Sequence, residues 1–135
     1  MAGYSGSTLP TKLGIKDGDS VLLCSEPRGL SAALGDMPSV KFPPRKGSGS
    51  YDVILYFTRE RAALERELAG LRKQMGPACG LWICWPKKAS KVVTDMNEEA
   101  VREIALPTGL VDNKVCAIDS TWSGLRLVIR KELRE

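Results

Sequence analysis

Gly80-Leu81-Trp82-Ile83-Cys84-Trp85-Pro86-Lys87-Lys88 is the stretch on which the fold turns. Six residues, nearly all apolar, run without a break into a proline and two lysines. A continuous apolar run of this length reads as a strand buried on both faces, the kind found inside a parallel sheet. Pro86 cannot donate to a ladder and so predicts the end of the strand. Trp82 and Trp85 lie three apart, which sends their side chains to opposite faces. Lys87 and Lys88 then emerge at the carboxyl end, where open α/β sheets bind their ligands.

Outward from this strand the chain alternates strands with helical stripes. Tyr51–Phe57 is β-branched and aromatic with no breaker, and reads as a second strand of the same kind. Between the two, Leu64, Leu68, Leu71 and Met75 recur at helical spacing, with Thr58 as the expected N-cap and Gly76-Pro77 as the stop. Upstream, Ser20–Ser25 is a short apolar strand, broken by Glu26-Pro27-Arg28-Gly29. Leu30, Ala33, Leu34 and Met37 then mark one face of a helix that Pro38 should end. Ser39–Phe42 reads as a brief strand. Downstream, Asp95 and Asn97 compete to cap a helix over Ala100, Val101, Ile104 and Ala105. Residues 113–131 read as a hairpin turning at Ser120–Gly124. Residues 1–19 form an opening segment, and 43–50 a flexible basic loop of Pro, Gly and Ser.

This order predicts one α/β domain over 1–135, a Rossmann-like three-layer sandwich. Its sheet is mostly parallel and ends in an antiparallel hairpin.

Composition narrows the chemistry. The chain has 135 residues, a net charge of +4, no histidine and four cysteines, none of them in a Cys-x-x-Cys pair. The missing histidine removes Ser-His and Cys-His catalysis, and the cysteine spacing gives no zinc knuckle, so no metal is expected. Cys84 lies mid-strand, where burial raises a thiol's pKa and leaves it inert. The start of the chain lacks the basic and apolar regions of a signal peptide, and no run is long enough to span a membrane. A cytoplasmic location without membrane contact follows as the expectation.

Two resemblances carry further. Leu13-Gly14-Ile15-Lys16-Asp17-Gly18-Asp19-Ser20-Val21-Leu22-Leu23, Met75–Leu81 and Leu110-Val111-Asp112 resemble the lead-in to the first strand, the approach to a late strand and the turn into the final hairpin of class I methyltransferases. The chain is short for that family and lacks one strand–helix unit, so its topology is a reduced version. Tyr4-Ser5-Gly6, Trp82-x-x-Trp85-Pro86-Lys87-Lys88, Gly109–Cys116 and Trp122-Ser123-Gly124-Leu125 are similar to a family of small bacterial proteins without an assigned activity. The methyltransferase likeness implies S-adenosylmethionine, held by a glycine-rich turn after the first strand and an acidic residue after the second. Here the turn is Ser25-Glu26-Pro27-Arg28-Gly29, and Pro43-Pro44-Arg45 stands where the acid belongs.

Both departures weigh against the cofactor, and the leading expectation is a non-catalytic binding or regulatory module with no resident cofactor. Glu26, Arg28 and Gly29 are the residues a cofactor would meet. Thr58, Trp85, Lys87 and Lys88 are the candidate ligand-binding residues, for an anionic small molecule or a protein partner. The alternative is an S-adenosylmethionine-dependent methyltransferase with an unusual cofactor loop. A second alternative, nucleic-acid binding through the basic loops at 41–46 and 87–91, is less favoured.

Overall fold

The computed structural model describes residues 8–43 and 51–134. The Tyr4-Ser5-Gly6 motif and nearly all of the basic loop at 43–50 lie outside the described residues. Nine main elements follow in order: α1 (Leu9–Leu13), β1 (Val21–Cys24), α2 (Leu30–Leu34), β2 (Tyr51–Phe57), α3 (Arg61–Lys73), β3 (Met75–Pro86), α4 (Glu98–Ala105), β4 (Leu110–Ala117) and β5 (Trp122–Ile129). The strands form one sheet in the order β1-β2-β3-β5-β4. β1, β2 and β3 are parallel, while β5 is antiparallel to both β3 and β4. This is the mixed α/β, Rossmann-like sheet ending in a hairpin that the sequence predicts.

β3 is the centre of the sheet. Leu81, Ile83 and Trp85 pack on one face with Leu64, Leu68 and Leu71 of α3 and Val101 and Ala105 of α4. Trp82 and Cys84 pack on the other with Leu13, Leu30 and Leu34 of the α1–α2 side. The two tryptophans thus fall on opposite faces, as their spacing requires. Trp82 is fully buried, and its indole Nε1 donates to the carbonyl of Leu13 at 3.0 Å, which fastens the end of α1 to the middle of the sheet.

Several local readings differ from the structure for definable reasons. β3 begins at Met75, not Gly80, because the β2–β3 register runs Tyr51↔Met75 and then Val53↔Gly80. Gly76 and Pro77 sit in that irregularity, where a proline needs no ladder partner. Ser39–Phe42 is reduced to a single parallel bridge, Ser20↔Lys41, whose backbone bonds join Val21 N to Lys41 O and Lys41 N to Asp19 O, both at 2.8 Å. α2 stops at Gly35, whose φ of 76° ends the helix three residues before Pro38. Thr58 does not cap α3. Its Oγ1 accepts from Glu60 N at 3.1 Å, and Asp95 from the distant β3–α4 loop accepts from Arg61 N at 2.8 Å. Asn97, not Asp95, caps α4, accepting from Ala100 N at 2.7 Å.

Arg102 fastens α4 to the hairpin. Its guanidinium reaches Asp112 of β4 at 3.0 Å and also pairs with Glu98 and Glu99 of its own helix. No helix among the described residues is long and apolar enough to cross a membrane.

The Trp82–Leu13 bond gives a direct test. Trp82→Phe keeps an aromatic ring but removes the N–H donor and part of the filled volume. We expect a loss of about 2 kcal/mol in urea unfolding with little change in the slope. A midpoint equal to that of the parent would contradict the tether.

Candidate functional site

The parallel strands β1, β2 and β3 end together, so the residues that follow them share one edge of the sheet. From β1 the chain passes through α2 on one face to the outer segment at Lys41. It then returns to the other side of β1 as β2, whose connection to β3 runs through α3 on the opposite face. The strand order therefore reverses between β1 and β2, the position where doubly wound sheets open a crevice.

Two hollows lie at this edge. The larger, a cleft of 470 Å³, is bounded by the β1–α2 turn, by α2 and by the outer segment; Glu26, Arg28, Leu23, Leu34, Met37 and Phe42 supply its chemistry. The smaller, 310 Å³, is lined by Ser25, Phe57, Thr58, Arg59, Glu60 and Trp122. Ser25, the first residue after β1, belongs to this second hollow and holds a φ of 56°. A left-handed conformation at a residue with a side chain is sparsely populated, and such residues gather at functional turns. Here it turns the chain sharply at the strand end and leads directly into Glu26.

The cleft's walls are mixed. Leu23, Leu34, Met37 and Phe42 offer an apolar side, and Phe42 is 45% exposed. Glu26 and Arg28 are its two charged side chains, of opposite sign. In the second hollow Trp122 meets Phe57 edge to face with centroids 5.3 Å apart. Its position is fixed by Asp119, whose Oδ1 accepts from both Thr121 N and Trp122 N at 2.8 Å.

Of the residues singled out in the sequence, Glu26 and Arg28 line the cleft together. Gly29 begins α2 with ordinary helical angles, and a Cβ there would meet nothing within 4 Å, so the backbone does not depend on its being glycine. Thr58 lies in the second hollow. Trp85 is 6% exposed and packs into the α3–α4 core, lining neither hollow. Lys87 and Lys88 follow β3 on the same edge but line neither hollow; Lys87 N donates to Thr121 O at 2.7 Å, tying its loop to the β4–β5 turn. Met37 and Phe42 were not legible as site residues. Only the crossover, which brings the outer segment back beside β1, gathers them.

No thiol offers a nucleophile. All four cysteines are buried, and none is in a disulfide. Burial, with the Asp52 charge behind it, pushes the Cys79 thiol up to about 12, and burial holds Cys84 well above the ordinary range. Among the described residues no cluster of acids and cysteines could hold a metal ion.

No family model matches the chain, and no curated protein matches it significantly. Its likeness is to solved structures. A putative type 11 methyltransferase from Sulfolobus solfataricus superposes with a TM-score of 0.60 at 12% identity, over 94% of this chain and 92% of that one. A SAM-dependent methyltransferase from Aquifex aeolicus gives 0.56 at 15% identity, over 90% and 88%. Fibrillarin from Aeropyrum pernix, solved with natively bound S-adenosyl-L-methionine, gives 0.54 at 12% identity, over 84% and 67%. The fold is that of methyltransferase-like Rossmann domains.

The Cys79 and Cys84 thiols also set an alkaline limit on stability. Their folded pKa values are raised, so above about pH 8.5 the unfolded chain gives up thiol protons that the native state retains. Stability should be insensitive to these groups below that point and fall as pH rises toward about 12. Urea midpoints at about pH 7 and about pH 10 check this, with Cys79→Ser as the variant whose loss on the alkaline side should be smaller. An identical pH dependence in the variant would contradict the burial argument.

Proposed function

We propose that this chain is an S-adenosylmethionine-binding domain of methyltransferase type, with the cofactor seated in the cleft between the β1–α2 turn and the outer segment. The observation that carries the reading is the cleft's position, at the carboxyl end of β1 beside the reversal in strand order, in a methyltransferase-like fold. The lining suits the ligand. The apolar wall of Leu23, Leu34, Met37 and Phe42 fits an adenine ring. The Glu26 carboxylate would accept hydrogen bonds from ribose hydroxyls, and the Arg28 guanidinium would pair with the amino-acid carboxylate. When bound, the cofactor supplies an electrophilic methyl group on a sulfonium sulfur.

The second hollow would take the acceptor. Trp122 gives it a flat apolar wall, and Glu60, its carboxylate, would take up the proton that an acceptor must lose.

One observation favours a second reading, a binding module descended from such an enzyme. In sequence, Pro43-Pro44-Arg45 carries no carboxylate where class I enzymes hold the ribose. In that reading Lys87 and Lys88 hold an anionic ligand or partner.

Calorimetric titration with S-adenosylmethionine and S-adenosylhomocysteine separates the two. The cofactor reading predicts saturable binding that Glu26→Gln and Arg28→Gln each weaken by about tenfold or more. Binding unchanged in both variants would overturn the site. No binding of either compound to the parent would leave the module reading.

A further inference from the structure

A second site lies on the α1 side of the hairpin and shares no residue with the cleft or its neighbour. A pocket of 270 Å³ is lined by Thr11, Lys12, Gly14, Asn113, Lys114 and Arg126. It has three cations and no carboxylate in its lining. Lys12 comes from α1, Lys114 from β4 and Arg126 from β5.

The backbone is irregular where it brings two of these cations together. The β4–β5 register runs Asp112↔Leu127 and then Lys114↔Arg126, which leaves Asn113 as an extra residue. Without that bulge Lys114 would stand opposite Leu125, on the core face. With it, Lys114 crosses to the other face and stands directly opposite Arg126. Bulges re-aim side chains in this way. Like charges directly opposite one another on a sheet are unfavourable, so the pairing calls for a negative group between them.

β3 makes room for the arginine as well. A Cβ at Gly80 would come within 2.5 Å of Arg126 Nε and 2.9 Å of its Nη2. The missing side chain lets the guanidinium lie flat against the strand. Among the described residues no hydrogen bond or ion pair engages that guanidinium, so its donors remain available. Lys114 is held in place by donating from Nζ to Lys12 O at 2.8 Å. Asp19 and Asp52 accept from the backbone, from Lys16 N and Ser20 N respectively, and neither forms an ion pair with Arg126 among the described residues.

We infer that this pocket binds a phosphate or pyrophosphate group of a small ligand. A planar guanidinium offers paired donors to phosphate oxygens, and the two ammonium groups supply point charge. The Thr11 hydroxyl and the Asn113 amide add neutral donors. The pocket's volume suits a phosphoryl group better than an extended polymer. The inference stands independently of the cofactor cleft.

The test is calorimetric titration of the full chain with inorganic phosphate and pyrophosphate, in a buffer free of other oxyanions at physiological ionic strength. Saturable binding with one site per chain is expected, together with a rise in melting temperature on adding pyrophosphate. Arg126→Gln and Lys114→Gln should each weaken it by about tenfold or more, while Lys131→Gln, a remote exposed cation, should leave it unchanged. Lys114 lies on an edge strand, so its variant keeps the test open should Arg126→Gln fail to fold. No binding at millimolar pyrophosphate, or equal weakening by all three variants, would overturn the site. A single-stranded oligonucleotide that binds this pocket more tightly than pyrophosphate would overturn its assignment to a small ligand.

Discussion

The structure depends on one strand being dry on both sides. β3 carries Leu81, Ile83 and Trp85 into the α3–α4 core and Trp82 and Cys84 into the α1–α2 core, so neither face of the sheet centre can be left to water. That constraint demands a helical layer on each side, and the doubly wound order of the chain follows. The α1–α2 layer is thin, two helices of five residues each. The indole bond from Trp82 to Leu13 compensates by fixing α1 directly to the sheet. A fold with so little cover on one face needs its central strand to hold both layers in register.

The same constraint locates the chemistry. Helices on alternate faces force the chain to change direction between β1 and β2, and the edge above that reversal is where backbone and side chains leave space. The left-handed Ser25, the charged pair Glu26 and Arg28, and the aromatic contact between Phe57 and Trp122 all lie there. The phosphate pocket arises from a different device, a bulge in the edge hairpin and a glycine in β3 that together seat Arg126 against the sheet. Both sites exploit places where a regular strand is interrupted.

Much of the fold was legible because its strands are written as continuous apolar runs. Tyr51–Phe57 and Leu81–Trp85 match strand cores, and the stripe Leu64, Leu68 and Leu71 matches the buried face of α3. The misreadings are contacts between segments far apart in sequence. Asp95 caps a helix more than thirty residues earlier. Gly76-Pro77 carries a stop signal that the β2–β3 irregularity absorbs within a strand. In the site, Glu26, Arg28 and Thr58 could be placed on the ligand edge from strand order alone. Phe42 and Met37 could not, since their part depends on the outer segment folding back beside β1. Trp85 follows a rule that spacing cannot decide: two tryptophans on opposite faces require two cores, and here both exist. Lys114 and Arg126 are invisible as a pair until the bulge aligns them.

The crevice beside β1 is proposed to seat an adenosyl cofactor. The most direct measurement is a series of 1H–15N correlation spectra of the labelled protein as S-adenosylhomocysteine is added. A cofactor seated there is expected to give progressive, saturable shifts concentrated in the β1–α2 turn at 25–31 and the outer segment at 37–42, with the hairpin pocket around Lys114 undisturbed. Shifts confined to the loop at 87–91, or a spectrum that does not change at millimolar ligand, would contradict it.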